Sequence, residues 1–178
     1  ISYDRGFKSG GFNQRDPANP SFKPEEVDAY EIGVKSEFLD RRARLNAALF
    51  DHEYENIQVS KFTTTQVVQN GAHARIYGAD VDFTWAVNDA LQVRASGQWL
   101  QARFLSFPGA QFTVPRPNNE GAIIISGDAS GKHLPFTPEF STGLSLDYQV
   151  WTDPWMLRFN LTQSYSSGYY GEADNRLF

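Results

Sequence analysis

The sequence predicts an all-β chain, an antiparallel up-and-down meander of about seven long strands. Apolar and polar residues alternate along most of its 178 residues, as they do where successive side chains point to opposite faces of a sheet. Tight turns alternate with long polar connections rich in Gly, Pro and Asn. Aromatic residues make up 15% of the chain although its mean hydropathy is −0.48, which suits alternating strands joined by polar loops.

The strands follow one another with little ambiguity in the alternating pattern. We expect them over about residues 1–7, 27–39, 42–59, 74–85, 91–100, 141–150 and 155–165. Asp40-Arg41, Val87-Asn88-Asp89 and Thr152-Asp153-Pro154 supply the tight turns. The long connections are expected over about residues 8–25, 60–67 and 105–138. Alternation becomes unclear beyond Phe50, which predicts a β-bulge in the third strand.

Two environments could receive the apolar face of such a sheet. In a soluble β-sandwich it packs against a second sheet, with Trp in the core. In a transmembrane barrel it faces lipid, and about 9–11 residues per tilted strand cross the bilayer. Trp85, Trp151 and Trp155 flank the tight turns, as the aromatic girdle of a membrane barrel would. Long strands and unequal loops favour the barrel.

The barrel interpretation assigns side chains to the lumen or to lipid by their parity along the strands. The residues expected to face the lumen are Glu31, Lys35, Asp80, Asp82, Arg94, Asp147 and Arg158. The residues expected to face lipid are Ile32, Val34, Val81, Phe83, Leu144, Leu146, Phe159 and Leu161.

Composition argues against several other functions. The chain has 16 Lys+Arg against 21 Asp+Glu and no basic stripe, so we expect no nucleic-acid partner. Cys is absent, which removes disulfides, thiolate metal sites and cysteine nucleophiles. The three His residues have no metal-ligand spacing and form no visible catalytic set, so we expect neither an enzyme nor a cofactor. Asp80 and Asp82 could bind a cation, but a wall position bonded to Arg or Lys on neighbouring strands is simpler.

Several short motifs follow one another along the predicted strands. Glu31, Gly33 and Lys35 form an E-x-G-x-K strand, and an N-x-A strand ending in an aromatic residue follows at 46–50. An Asn at the end of a loop, Asn70, then leads to a Y-G-x-D-x-D strand at 77–82, and the segment YDRGFKSGGFN runs from a strand into a Gly-Gly-Phe-Asn loop. Each motif is weak alone, but their order and spacing are specific. Together they resemble the barrel of TonB-dependent outer-membrane receptors.

The resemblance implies that residues 1–178 are part of a 22-stranded barrel domain, with the plug domain and the remaining strands outside this sequence. It implies a bacterial outer-membrane location, contact with outer-membrane lipid, and active uptake of a ferric siderophore or another iron chelate. The energy-coupling protein TonB would act only through the missing plug. A passive porin-type barrel segment and a soluble β-sandwich used for binding are the alternatives.

Ligand contacts are expected from the long-loop end of the sheet. Arg would suit anionic ferric siderophores through charge-assisted hydrogen bonds, and aromatic rings would stack on flat ligands. The candidates are Phe12, Asn13, Arg15, Phe22, Phe62, Arg103, Phe107 and Arg116. Ordinary loop packing is the alternative for each of them.

Overall fold

A computed structural model of the chain describes residues 1–14, 18, 21–62 and 65–176. Seven antiparallel strands form its main sheet, each bonded to the next long strand along the chain. In sheet order they are β1 (Ser2–Lys8), β4 (Glu25–Phe38), β5 (Ala43–Phe62), β6 (Gln66–Ala86), β7 (Leu91–Ser106), β10 (Phe140–Thr152) and β11 (Trp155–Ser166). The predicted meander of about seven strands is confirmed.

The long connections contain two small hairpins of their own. β2 (Gly11–Phe12) pairs with β3 (Ser21–Phe22), and β8 (Ala110–Pro115) pairs with β9 (Ala122–Gly127). A short 3₁₀ turn at Pro117–Asn119 lies between β8 and β9. Within the described ranges, no helix has the length and apolar character needed to cross a membrane.

The β5–β6 hairpin is much longer than the sequence suggested. Its strands have 20 and 21 residues, so the loop expected over 60–67 is wrong for most of its length. The error arises because Val67 and Val68 are adjacent apolar residues and break the alternation on which the prediction relied. Both strands nevertheless stay paired there, with Ser60 opposite Val68 and Phe62 opposite Gln66.

The expected β-bulge lies between Tyr54 and Gln58, where the register of β5 against β6 shifts twice. Asn56 adopts a positive φ of 53° at this point, a conformation that Asn tolerates better than most residues. Tyr54 before the bulge and Ile57 and Val59 after it all pack against the same core cluster. The bulge therefore reverses which positions of β5, odd or even, point to the interior of the long-loop end.

Register carries one apolar face across the whole sheet. Ile32 pairs with Leu49, Leu49 with Ala79 and Ala79 with Trp99, so these side chains occupy one row. Farther along, Leu146 pairs with both Val93 and Leu161. No second sheet covers this face in the described part of the chain, and Leu161 is 64% exposed. A soluble β-sandwich, which needs these residues buried, is therefore not formed by the described strands themselves.

Two bands of aromatic residues border the apolar face. The upper aromatic band, towards the long connections, consists of Tyr30, Tyr77, Trp99, Phe140 and Tyr165. The lower aromatic band, towards the tight turns, consists of Phe38, Trp85, Tyr148 and Trp155. On β4, β6 and β10 the two bands are eight residues apart, about 26 Å along the strand at a rise of about 3.3 Å per residue.

Trp151 does not belong to the lower aromatic band as the sequence suggested. Its partner in register is Met156, and both alternate with residues of the apolar face. Trp151 therefore lies on the polar side of the sheet, next to the turn.

Gly78 occupies a position where no larger residue fits. A Cβ there would lie 2.1 Å from the carbonyl oxygen of Trp99 and 2.9 Å from the ring of Phe50. The Tyr-Gly step of the sequence motif thus lets the Phe50 ring lie over the backbone of β6. At Gly168, by contrast, a Cβ would meet nothing within 4 Å.

We expect Gly78→Ala to lower the free energy of unfolding by about 1–3 kcal/mol, because backbone and ring must move to admit the methyl group. Urea denaturation of the folded protein measures the change. Gly168→Ala is the matched control and should change stability by less than about 0.5 kcal/mol. Equal effects of the two variants would contradict the steric argument.

Candidate functional site

The polar face of the sheet contains an acidic concavity near its centre. Glu31, Lys35, Asp80 and Asp82 line it, together with small residues such as Gly33 that leave the floor low. The carboxylate of Asp80 accepts a hydrogen bond of 3.0 Å from the side-chain amide of Gln98. None of the four charged residues forms a salt bridge with another described residue. The expected bonding of Asp80 to Arg or Lys is therefore replaced by an amide contact.

Near the tight turns the polar face carries a second, internally paired group. Arg94 contacts Asp147 at 2.5 Å, and the amide of Asn160 donates to the same carboxylate at 2.9 Å. Gln92 also accepts from Arg94, and Arg158 lines the same recess. The seven residues predicted for the lumen thus share one face of the sheet but form two groups. The residues of the first group form no salt bridge with described residues, whereas the second group contains the Arg94–Asp147 salt bridge.

The long-loop end of the sheet has a hydrophobic core of its own. Residues of β6 and β7 pack there against the connection between β7 and β10. The buried members are Ala72, Ala74, Phe104, Phe107, Ala110, Phe112 and Ala129. This connection therefore folds against the sheet as a packed layer.

Local hydrogen bonds hold the turn at Asp128 within that layer. The hydroxyl and backbone N–H of Ser130 donate to the Asp128 carboxylate, which keeps the pKa of this carboxyl below its usual value. The Ser130 hydroxyl also accepts the backbone N–H of Phe107 at 2.8 Å. The buried ring of Phe107 is thereby tied to the turn.

Side-chain amides fasten the long connections by a repeated arrangement. Each amide oxygen accepts the backbone N–H of one distant residue, and each amide nitrogen donates to that residue's carbonyl oxygen. The amide and backbone partners are Asn13 with Val68, Asn70 with Lys23, Gln111 with Phe62 and Asn175 with His133, at 2.6–3.0 Å. Each amide therefore replaces the pair of hydrogen bonds that a neighbouring strand would provide.

A recess with polar and aromatic lining opens at the long-loop end, with a volume of about 370 Å³. The vestibule pocket, as we name it, is lined by His133, Thr137, Glu139, Ser167, Gly168, Tyr169 and Tyr170. The rings of His133 and Tyr170 are 5.6 Å apart, and His133 Nε2 lies 3.8 Å from a Glu139 carboxylate oxygen. Sequence reasoning missed this pocket, although the Gly-Tyr-Tyr-Gly run at 168–171 could have indicated an exposed aromatic site.

The predicted ligand residues are not brought together in one place. Phe12 and Phe62 are exposed, whereas Phe22 is half-buried in β3. Phe107 is only 7% exposed because it packs in the hydrophobic core, so its ring is not at the surface; its expected contact with ligand stays a prediction.

The remaining candidates also differ in position. The amide of Asn13 is engaged with Val68, and Arg116 is exposed beside the 3₁₀ turn. Arg103 lies within β7 on the face of Trp99, not in a loop, because β7 extends to Ser106. Arg15 lies outside the described residues. No group of His, Asp and Glu in the described ranges could hold a metal ion.

Comparison with known proteins identifies related sequences and folds. The family model described as "TonB dependent receptor-like, beta-barrel" matches residues 1–177. The chain is 26% identical over 157 residues to the probable TonB-dependent siderophore receptor PiuA of Acinetobacter baumannii, covering 88% of this chain and 20% of that protein. It is 28% identical over 132 residues to the catecholate siderophore receptor Fiu of Escherichia coli K12, covering 74% of this chain and 15% of that receptor.

A solved structure shares the fold over nearly the whole chain. The ferric yersiniabactin uptake receptor FyuA of Yersinia pestis superposes with a TM-score of 0.74 at 21% identity, over 98% of this chain and 24% of that receptor. The chain therefore covers 15–24% of the length of these proteins. At this identity the similarity establishes the architecture of the sheet.

Loss of one fastening amide should loosen only its own attachment. In Gln111→Ala we expect the backbone N–H of Phe62 to exchange with solvent about fivefold to tenfold faster, because one hydrogen bond is worth about 1 kcal/mol. Hydrogen–deuterium exchange followed by mass spectrometry measures this rate. Gln163→Ala, on the apolar face, is the control, and unchanged exchange at Phe62 in Gln111→Ala would contradict the assignment.

Proposed function

Because the chain belongs to the TonB-dependent receptor-like β-barrel family, we propose that it forms part of the wall of an outer-membrane receptor that imports a ferric siderophore or a similar iron chelate. The match of the family model over residues 1–177 carries this proposal. The siderophore class is supported by the names of the relatives, which are siderophore receptors. Members of this family are transport receptors, so the proposed activity is binding and translocation without bond cleavage.

The two faces of the sheet then meet different surroundings. The apolar face contacts lipid and the polar face lines the lumen. Exposure of large apolar side chains supports this orientation, and so does the separation of the two aromatic bands. A strand length of about 26 Å, tilted by about 40°, spans about 20 Å of height, close to the apolar band of about 25 Å on outer-membrane barrels.

The ligand is proposed to contact the long-loop end, where the vestibule pocket joins aromatic and ionisable side chains. Tyr169 and Tyr170 offer flat rings for a catecholate or phenolate group, and His133 offers a ring nitrogen. Exposed Arg116 could supply a charge-assisted hydrogen bond to an anionic chelate. Phe12 and Phe62 remain candidates for the outer contacts because their rings are free of the core.

The acidic concavity is proposed to face the plug domain, through which TonB would supply energy. Its charged side chains lack ion-pair partners in the described ranges, so they are available to a domain inside the lumen. A passive porin-type barrel is not proposed, because the matching family consists of receptors.

A charged residue on the lipid side should impair assembly. Leu161 lies between Trp155 and Tyr165, near the middle of β11, so Leu161→Arg in the full-length receptor should cost roughly 2–4 kcal/mol near the bilayer midplane. Heat-modifiability on electrophoresis, which separates folded from unfolded barrels, measures the folded fraction. The matched control, Thr162→Arg on the polar face, should fold nearly normally, and equal behaviour of both variants would contradict the orientation.

The vestibule pocket can be tested with a tyrosine pair. We expect Tyr170→Ala to weaken binding of a ferric tris-catecholate to the full-length receptor by about tenfold, equivalent to about 1.4 kcal/mol. Quenching of tryptophan fluorescence by the chelate measures the affinity. Tyr165→Ala removes the same ring from the apolar face and should leave affinity unchanged; an unaltered affinity in Tyr170→Ala would remove the pocket from the binding site.

A further inference from the structure

The β8–β9 hairpin at the long-loop end has one strand edge that no described residue covers. β9 pairs only with β8, and the register between the two strands runs without a bulge. Its sequence, Ala-Ile-Ile-Ile-Ser-Gly, contains neither a charged residue nor a proline, and all three isoleucines are exposed. Native proteins usually protect an edge strand with charges, prolines or bulges, so a regular apolar edge of this kind indicates a strand that acquires a partner.

The hydrogen-bond pattern of the hairpin shows which backbone groups of β9 point away from β8. Opposed residues in an antiparallel pair alternate between those that bond to each other and those whose N–H and C=O groups point outward. Arg116 and Gly121 continue the register of the hairpin, and the N–H of Arg116 donates to the carbonyl oxygen of Gly121 at 2.8 Å. Counting from this bonded pair, the N–H and C=O groups of Ala122, Ile124 and Ser126 point to the free edge.

The opposite edge of the hairpin agrees with this direction, because the outward groups of β8 have partners there. Thr113 lies opposite Ile124, and its outward N–H donates to the Glu172 carboxylate at 3.1 Å. The Gln111 side chain joins the same strand to the backbone of Phe62 through two hydrogen bonds. On β9, by contrast, no other described residue forms a hydrogen bond with the outward N–H and C=O groups.

The outward groups of β9 are arranged symmetrically about Ile124. When a second β9 lies antiparallel beside the first with the two Ile124 residues opposite each other, Ala122 of each copy meets Ser126 of the other. Three opposed pairs then exchange two hydrogen bonds each. A displacement by two residues along the strand would leave only two such pairs within β9. The symmetric register therefore uses every outward group of this edge.

Side chains support the same register on one face of the hairpin. Ile125 lies opposite the core residue Phe112 of β8, and Ile123 is on the same face. In the symmetric register Ile123 of each copy lies opposite Ile125 of the other, so each isoleucine gains an apolar cross-strand neighbour. Glu120 and Asp128 lie just beyond the two ends of β9, and the pairing brings these like charges of the two copies near each other.

We propose that two copies of the receptor associate through their β9 strands, which pair antiparallel about Ile124 and give a sheet in the order β8-β9-β9-β8. The contact is isologous, because the same edge serves both partners. Backbone hydrogen bonds alone would suit any extended strand, and the symmetry about Ile124 favours the same strand of a second copy. This inference goes beyond the proposed uptake of an iron chelate and requires only that the hairpin lies at the surface of the folded receptor.

Cysteine crosslinking of the full-length receptor in its membrane tests the register. In Ile124→Cys the two thiols face each other across the two-fold axis, at the Cα separation of about 5.5 Å that disulfides favour. We expect a disulfide-linked dimer on non-reducing electrophoresis after oxidation by copper–phenanthroline. Ala122→Cys is the matched control, because its two copies are four residues, about 13 Å, apart along the strands and cannot be bridged. Co-expression of the Ala122→Cys and Ser126→Cys receptors should restore the crosslink.

A proline variant separates the contribution of the backbone from that of the side chains. Ile124→Pro removes an N–H that β8 does not use, so the hairpin remains while each copy loses one donor at the axis. We expect dimerisation to weaken about thirtyfold, because two hydrogen bonds are lost. Ile124→Val keeps the N–H and a β-branched side chain and should dimerise like wild type. Light scattering of the detergent-solubilised receptor measures the molar mass, after heat-modifiability has established that each variant is folded.

Added salt should strengthen the association, since it screens the repulsion between Glu120 and Asp128 of the two copies. Equal crosslinking of Ile124→Cys and Ala122→Cys would overturn the proposal, because it would indicate random collision. Equal dimerisation of the proline and valine variants would overturn it as well. So would a wild-type receptor that stays monomeric, and protection of the Ile124 N–H from hydrogen exchange would then show that another segment of the same receptor covers the edge. None of these results depends on ligand binding, so the proposed uptake stands or fails separately.

Discussion

The alternation of side-chain direction along each strand constrains the whole sheet, because antiparallel register carries it from one strand to the next. A slip of one residue between β6 and β7 would move Val81 and Phe83 to the polar side and bring Asp80 and Asp82 to the apolar side. Tight turns keep this register at one end of the sheet. Gly78 preserves it in the middle, since only a residue without Cβ allows β6 to lie so close to Trp99 and Phe50.

Beyond the upper aromatic band the source of stability changes. The part of the sheet below this band buries few side chains within the described chain, so its stability depends on what contacts its faces. The long-loop end, by contrast, has a hydrophobic core around Phe104, Phe107 and Phe112. Side-chain amides complete that end by pairing with single backbone residues in place of whole strands. The same amide arrangement explains Asn70, which appears in the sequence only as the polar end of a loop and in fact binds Lys23.

The sequence alone was sufficient to predict the strands wherever the alternation of apolar and polar residues was unbroken, as in β4, β10 and β11. A period of two residues indicates directly to which face of the sheet each side chain points. It failed at Val67-Val68, where pairing continues without alternation, and at Phe107, whose burial depends on a core assembled from distant segments. Arg103 fell between the expected strand and the expected loop, because β7 continues to Ser106, beyond its recognisable alternation. The vestibule pocket was missed because its residues, from 133 to 170, meet only through the connection after β7 and the segment after β11. The family resemblance could be recognised from the order of the motifs. Their Gly and acidic residues occupy fixed positions within particular strands, because the local packing of those strands requires them.

The bulge at Asn56 has an evolutionary consequence. Because it reverses the inward-facing positions of β5, even positions before it and odd positions after it contribute to the same core, although they belong to one continuous strand. A lineage could exchange the outer part of the β5–β6 hairpin, together with the connections that its amides fasten, without altering a single position of the wall. The bulge thus separates the part of the hairpin that the amide-fastened connections hold from the part whose register the wall fixes.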